Sequence, residues 1–205
     1  MEYRRAQYMQ RLIDRMGNGL VKVVTGIRRS GKSYLLFRLF KKYLLEISVK
    51  EDHILALELD TRENRPYRNP DTLLEYLRHR MQDDGQYYIL LDEVQMLEDF
   101  EEVLNSLLRK PNVDIYVTGS NSRFLSRDVI TEFRGRGDEI HIFPLSFGEF
   151  RENRTDDAQI SWAEYVTYGG LPLVATMKTD EQKATYLAQL FRETYLKDIV
   201  ERYRV

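Results

Sequence analysis

One segment near the amino terminus combines residue types that bind phosphate groups. Gly26 and Gly31 precede Lys32 and Ser33 in the spacing G-x-x-x-x-G-K-S, between a predicted strand and a predicted helix. Glycines let a loop wrap closely around an anion, so that backbone N–H groups and the helix N-terminus face it. The lysine then reaches the β- and γ-phosphates, and the serine hydroxyl binds Mg²⁺. The alternative is a glycine-rich turn with a solvated lysine.

We therefore predict that this loop binds ATP together with Mg²⁺. The predicted nucleotide-binding residues are Gly26, Ile27, Arg28, Arg29, Ser30, Gly31, Lys32, Ser33 and Tyr34. Lys32 is also a predicted catalytic residue, and Ser33 is a predicted metal ligand. No Asn-Lys-x-Asp motif, which would read guanine, occurs in the chain, and this favours adenine.

Two acidic residues complete the predicted site. Asp92 and Glu93 follow the apolar run 87–91, which is typical of a central strand buried on both faces. Asp92 is predicted to hold the Mg²⁺ through a water molecule, as Walker B aspartates do. Glu93 is predicted to orient and polarise the attacking water, which is a general-base role. The alternative is a polar strand end without chemistry.

Further candidates follow the fourth predicted strand. Asn121, or its neighbour Ser120, is predicted to sense the γ-phosphate, and the alternative is an ordinary Gly-Ser-Asn turn. Arg136 and Arg134 are predicted to reach the transferring phosphoryl group, within one chain or from a neighbouring subunit. The alternative for both arginines is a solvated loop.

Short β-type runs alternate with longer helical ones, and this pattern predicts an α/β protein with a mainly parallel sheet. Strands are predicted at 20–25, 53–60, 87–91, 113–118 and 139–143, and helices at 34–47, 70–81 and 100–109. A complete strand and helix separate Lys32 from Asp92. This spacing places an additional strand between the two nucleotide-binding strands, as in AAA+ and RecA-like ATPases rather than simple nucleotide kinases.

Beyond Pro144 the apolar residues recur at steps of three and four, and Thr179 with Gln182 forms a capping box. We predict an α/β core at 1–145 and a small helical subdomain at 146–205. The last predicted helix reaches Val205 without a cap, so we expect the chain to be part of a longer protein.

Composition excludes several other classes. The 205 residues are 42% hydrophobic, which is typical of a folded protein, and no stretch approaches the roughly 18 apolar residues of a membrane span. Residues 1–15 are too polar for a secretory signal, so we expect a cytoplasmic protein. The absence of cysteine excludes disulfides and thiolate chemistry. A net charge of -2 gives no overall reason to bind nucleic acid, although a local basic patch stays open.

Seven motifs carry a resemblance to a known family, and they cover essentially the entire chain. In order they are residues 26–33, 91–95, 118–122, 135–136, 143–150, 168–172 and 197–202. Together they resemble the archaeal-type AAA+ ATPases of prokaryotes, which are related to the STAND ATPases. The resemblance implies a P-loop NTPase fold, in which a parallel five-stranded sheet flanked by helices precedes a small helical subdomain.

The resemblance also implies a function, namely Mg-dependent ATP hydrolysis whose nucleotide state is coupled to a C-terminal domain or partner. That C-terminal domain would lie beyond this chain. Pro172 is implied to lie beside the adenine, with a helix-breaking Gly-Pro turn as the alternative. A homo-oligomer and nucleic-acid binding stay open, and no sensor arginine can be assigned on the C-terminal helices.

Three other functions remain as alternatives. A nucleotide-gated binding module would use ATP occupancy rather than turnover. A phosphotransferase would need an acceptor pocket and a lid, and the Asp92-Glu93 pair with Asn121 argues against it. A DNA-associated motor receives no independent support from the near-neutral charge.

Overall fold

The computed structural model describes residues 2–119 and 135–192. The chain divides into two compact units. The larger unit comprises Arg5–Gly26 and Lys32–Ile142, and the smaller unit comprises residues 2–4, Ile27–Gly31 and the chain from Phe143 onward. The sequence places the boundary three residues later and does not indicate the two short segments of the smaller unit.

The larger unit contains the sheet and its flanking helices. In chain order its elements are α1 Ala6–Ile13, β1 Val21–Thr25, α2 at 32–46, β2 Ile54–Glu58, α3 Pro70–Arg80, β3 Tyr87–Asp92, α4 Phe100–Leu107, β4 Val113–Thr118 and β5 Gly137–His141. The middle of α2, Leu35–Phe40, is π-helical, and short 3₁₀ turns occur at Glu51–His53, Arg65–Arg68 and Val94–Met96.

The sheet has five parallel strands in the order β2-β3-β4-β1-β5. This topology confirms the predicted α/β fold with a parallel five-stranded sheet. Strand β4 pairs with both β1 and β3, so that Val21 is opposite Ile115 and Leu91 is opposite Val117. The fourth strand therefore separates the two strands that were predicted to carry the nucleotide site.

Helices cover both faces of the sheet, and its central strands β3 and β4 are therefore buried on both sides. Alternate residues such as Ile89 and Val117 face a core that includes α3 and α4. Their neighbours, such as Leu90 and Tyr116, face a second core that includes α1 and α2. Two buried faces fix the register of each strand, because a slip of one residue would exchange the two faces.

Helix α3 begins where the sequence indicates. Asn69 is its N-cap, and the Asn69 Oδ1 atom accepts a hydrogen bond from the Thr72 N–H at 3.1 Å. Pro70 occupies the first helical position, where its missing N–H is not needed. Such a cap stabilises a helix by about 1 kcal/mol.

Strand β5 begins two residues earlier than the predicted 139–143. The Val21 N–H donates to the Arg136 carbonyl and the Ile142 N–H donates to the Thr25 carbonyl, both at 2.9 Å, so pairing with β1 sets the ends of the strand. Phe143 lies beyond the strand and is 62% exposed.

The smaller unit contains four helices in its described part: α5 Phe147–Arg151, α6 Ala158–Tyr168, α7 Pro172–Ala175 and α8 Asp180–Leu190. The predicted capping box of Thr179 and Gln182 is present at the start of α8. A second one, of Ser146 and Glu149, begins α5. None of the helices in the described part of the chain combines the length and apolar character that a bilayer crossing demands.

Candidate functional site

The carboxyl ends of three neighbouring strands in the larger unit bring polar residues together. Strand β1 ends at Thr25, β3 at Asp92 and β4 at Thr118. Because the strands are parallel, these ends lie at one edge of the sheet, where open α/β sheets bind ligands. Gly26 follows β1 and Glu93 follows β3 at the same edge.

Asp92 is a buried carboxylate at this edge, with 4% of its surface exposed. Burial raises the pKa of Asp92, while hydrogen bonds from the Thr118 and Ser33 hydroxyls act in the opposite direction. The negative charge of Glu93 adds to the rise. A buried carboxylate beside a second acid is stabilised by a cation, which removes the cost of the ionised form.

Asp92 and Ser33 fit a magnesium ion. Both offer oxygen atoms, the ligands that Mg²⁺ prefers, and the Ser33 hydroxyl is one of the groups that lower the pKa of Asp92. The described residues contain no group of three or more acidic, histidine or cysteine side chains that would form a metal cage. In nucleotide sites Mg²⁺ usually takes one or two protein ligands, and phosphates and water complete its coordination.

Glu93 has an unusual backbone conformation, with φ 50° and ψ 53° in the left-handed region. A non-glycine residue in this region carries strain of about 1–3 kcal/mol and is often found at a functional site. The Glu93 N–H donates to Thr118 Oγ1 at 3.1 Å, and the Thr118 hydroxyl donates to Asp92. Thr118 therefore holds both acidic residues in place.

Gln95 contacts the predicted base directly, and the sequence does not assign it a role. Its side-chain Nε2 donates a hydrogen bond to the Glu93 Oε2 atom. The Gln95 Oε1 atom is buried and has no hydrogen-bond partner among the described residues. Gln95 lies in the segment 91–95, one of the seven motifs that carry the family resemblance, and this was the available signal.

Lys32 begins α2 directly after the glycine loop. It is 4% exposed, and its ammonium group donates to the Gly26 carbonyl at 3.0 Å. The cationic group is therefore held across its own loop rather than extended into solvent. Tyr34, two residues further on, is 45% exposed.

The central part of the loop, Ile27–Gly31, groups with the smaller unit. Arg29 has φ 65°, and its guanidinium lies 5.5 Å from the centroid of the Tyr186 ring. A side chain at Gly31, which has φ 98°, would lie 3.7 Å from Pro172 Cγ. Pro172 thus lies beside the loop.

The other loop positions differ in exposure. Ser30 is fully buried, and its hydroxyl has no hydrogen-bond partner among the described residues. Ile27 and Arg28 are exposed.

One predicted catalytic residue, Arg136, is not brought to this group. Arg136 precedes β5 at the amino edge of the sheet, and its Nη1 atom donates to Asn105 Oδ1 at 3.3 Å. A five-residue strand spans about 16 Å, so Arg136 lies at the edge opposite Lys32 and Asp92. Asn121, with its neighbour Ser120, and Arg134 lie outside the described residues.

Gly170 in the motif 168–172 has a packing reason. The Leu145 N–H donates to the Gly170 carbonyl at 2.7 Å, and the Tyr165 hydroxyl donates to the Leu145 carbonyl at 2.9 Å. A Cβ atom at Gly170 would lie 2.1 Å from the Leu145 oxygen. This close approach joins the motif 143–150 to the residues that precede Pro172.

Comparison with known proteins identifies the family of this chain. A family model described as "AAA domain" matches residues 18–151. An uncharacterised protein of Haemophilus influenzae is 34% identical over 204 residues, which are 97% of this chain and 50% of that protein. An uncharacterised protein of Methanocaldococcus jannaschii is 24% identical over 90% of this chain and 43% of its own length. The chain thus spans about half the length of the curated relatives it matches.

Among solved structures, the Aeropyrum pernix ORC1 protein, solved in complex with DNA, has the same fold. Its TM-score is 0.54 at 16% identity, and the match covers 100% of this chain and 62% of that one.

Proposed function

This chain belongs to the AAA domain family of P-loop ATPases, and we propose that it binds ATP with Mg²⁺ and hydrolyses the bond to the γ-phosphate. The observation that carries the proposal is the group formed by Ser33, Asp92, Glu93 and Thr118 at one edge of the sheet. The glycine loop that ends in Lys32 belongs to the same edge.

In the proposed binding mode, the backbone N–H groups of residues 26–33 and the N-terminus of α2 hold the phosphates. Lys32 exchanges its bond to the Gly26 carbonyl for the β- and γ-phosphate oxygens. Ser33 and Asp92 hold the magnesium ion, which neutralises charge on those phosphates when bound. Tyr34 and Pro172 are proposed to lie on the side of the nucleoside, with Pro172 nearer the adenine.

In the proposed reaction, a water oxygen attacks the γ-phosphorus and the bond to the bridging oxygen of ADP breaks. Glu93 accepts the proton of that water, and the products are ADP and inorganic phosphate. A general base contributes typically 10²–10⁴-fold to such a step. The backbone strain at Glu93 and its bonds to Thr118 and Gln95 support a carboxylate that is positioned before the substrate arrives.

A second copy of the chain is the proposed source of any arginine at the γ-phosphate. Arg136 precedes β5 at the amino edge of the sheet, which supports a contact with the nucleotide of a neighbouring copy over one with its own. An arginine supplied in trans typically adds 10³–10⁵ to the rate of such ATPases and GTPases. Slow turnover by the isolated chain that rises with protein concentration would agree with this arrangement.

The curated relatives are about twice as long as this chain, and we propose that the nucleotide state is transmitted to the remaining part of such a protein or to a partner. Binding of ATP without hydrolysis would suffice to transmit the nucleotide state. An ATP-bound chain with no measurable turnover at any concentration would therefore favour a nucleotide-gated switch over an ATPase.

The experiment that tests binding uses a fluorescent ATP analogue with and without Mg²⁺. Lys32→Ala should abolish binding, whereas Lys42→Ala, an exposed lysine on the same helix, should bind as the unchanged chain does. Equal binding by the two variants would contradict a phosphate-binding role for the loop.

A further inference from the structure

A surface cavity of about 660 Å³ lies in the larger unit, and none of its lining residues is assigned to the nucleotide. Its lining comes from the loop that follows β2 and from the segment that follows Glu93. The lining includes Arg62, Arg65 and Arg68, together with Pro66, Met96 and Glu98.

The cavity carries an excess of positive charge. Arg62 and Arg65 are exposed, and neither forms an ion pair within the part of the chain that the structure describes. Glu98 is the one acidic residue in the described lining; Glu63 lies in the same loop but does not line the cavity. The arginines therefore keep their capacity to bind an external anion.

The loop is held in shape before any ligand binds. The Arg68 guanidinium donates to the Leu59 carbonyl at 2.7 Å. The Asn64 side-chain amide donates to the Glu58 carbonyl at 3.0 Å, and the Tyr67 N–H donates to the Asn64 carbonyl at 3.0 Å. A preformed site loses less conformational entropy on binding than a mobile one.

We propose that this cavity binds the phosphate backbone of a nucleic-acid strand. A guanidinium group presents paired N–H donors that match two phosphate oxygens, which makes arginine the preferred residue for this contact. Three arginines line the cavity, more than one phosphate needs, so consecutive phosphates of a chain fit it better than a single free anion. Met96 and Pro66 supply an apolar surface for sugars or bases, which favours a nucleotide chain over an acidic peptide.

The cavity is also connected to the proposed base. The Glu98 N–H donates to the Arg68 carbonyl at 3.0 Å, and the Met96 N–H donates to the Glu93 carbonyl at 2.9 Å. A strand bound on the arginines rests on the segment that carries Glu93 and restrains it. Nucleic acid therefore raises ATP turnover. This consequence rests on the proposed function, whereas the binding of nucleic acid to the cavity does not.

The first measurement is the fluorescence anisotropy of a labelled single-stranded oligonucleotide without nucleotide, at several salt concentrations. Arg62→Glu/Arg65→Glu should weaken binding by about tenfold or more and lower the slope of log Kd against log salt by about 2. Arg78→Glu/Arg80→Glu, which reverses two exposed charges on α3, is the matched control and should retain binding. Arg62→Gln/Arg65→Gln repeats the test without adding negative charge.

Three results would overturn the proposal: no binding by the unchanged chain, equal loss in both charge-reversal variants, or equally effective competition by poly-glutamate or inorganic phosphate. Thermal unfolding confirms that each variant is folded. ATP turnover with and without oligonucleotide then tests the coupling, which is refuted if the oligonucleotide binds and turnover does not rise. A failure of ATP binding alone would refute the proposed function and leave the anisotropy result standing.

Discussion

The side-chain amide of Gln95 donates a hydrogen bond to the carboxylate of Glu93, two residues before it in the chain. The pair lies just after β3, where Glu93, with its left-handed backbone, is the N-cap of the 3₁₀ turn Val94–Met96. A predicted base is therefore restrained both through its main chain, by Thr118, and through its side chain, by Gln95.

Replacement of Gln95 by Ala should lower kcat by about tenfold and leave KM for ATP nearly unchanged, because a base that is free to rotate spends less time aligned with the water. Steady-state phosphate release measures both constants. Gln82→Ala removes an exposed glutamine from the same unit and should leave both unchanged. A Gln95 variant with full kcat, or one that loses ATP binding, would contradict a positioning role.

Replacement of Asp92 by Asn should abolish the Mg²⁺ dependence of ATP binding without destabilising the ligand-free protein. Since burial raises the pKa of Asp92, the native state keeps this proton to a higher pH than the unfolded chain does. The associated stability is present below the unfolded pKa of about 3.9 and is lost as pH rises through the folded pKa. Asparagine does not ionise, so the Asp92→Asn variant does not lose this stability as pH rises.

Thermal unfolding of the ligand-free proteins at acidic and neutral pH measures the effect. The Asn variant should gain in melting temperature relative to the unchanged chain as pH rises through the acidic range. A variant that becomes relatively less stable toward neutral pH would show that ionised Asp92 stabilises the native state.

The buried ion pair of Lys22 and Asp114 should be sensitive to the loss of either partner. Burial lowers the pKa of Lys22, while the charge of Asp114 and its hydrogen bond with Lys22 act in the opposite direction. Asp114 also accepts hydrogen bonds from the Gly17 N–H and the Tyr116 hydroxyl. Removing one member of a buried pair typically costs about 3–5 kcal/mol. Lys22→Met and Asp114→Leu should each lower the free energy of unfolding in urea by this order. The double replacement should cost less than the sum, and strict additivity would refute the coupling.

Two glycines in the smaller unit should respond differently to alanine. A Cβ atom at Gly170 would lie 2.1 Å from a backbone oxygen of Leu145, so Gly170→Ala must displace the backbone or break the hydrogen bonds there. A Cβ atom at Gly148, in α5, has no neighbour closer than 3.9 Å. Gly170→Ala should lower the melting temperature, and Gly148→Ala should be neutral or stabilising by up to about 1 kcal/mol. The same response in both variants would contradict the packing account.

Much of the sheet could be predicted because strand ends and helix caps are local. The run 113–118 matches β4, and the Asn69-Pro70 cap matches the start of α3, since turn chemistry and burial pattern agree there. The predicted β5 was displaced toward Phe143 because its apolar residues continue past the strand. Strand β5 ends at His141 because of its pairing with β1. This pairing is a tertiary interaction, and the sequence of one strand does not encode it.

Part of the candidate site could be predicted because strand ends and the glycine loop are also local features of the sequence. The ends of β1 and β3 and the glycine loop indicated Lys32, Ser33 and Asp92. Contacts made by side chains across the fold were not predictable: the Gln95 amide on Glu93 depends on a short turn. The position of Arg136 was not predictable either, because it depends on the parallel pairing of β5 with β1, and its catalytic role stays a prediction.

The most direct test of the central claim is Mg-dependent phosphate release from ATP by the unchanged chain and by Glu93→Gln, with ATP binding measured on the same samples across protein concentration. We predict that both proteins bind ATP and that only the unchanged chain releases phosphate, more per molecule as its concentration rises. Equal release by the two proteins would contradict the role of Glu93 as the base.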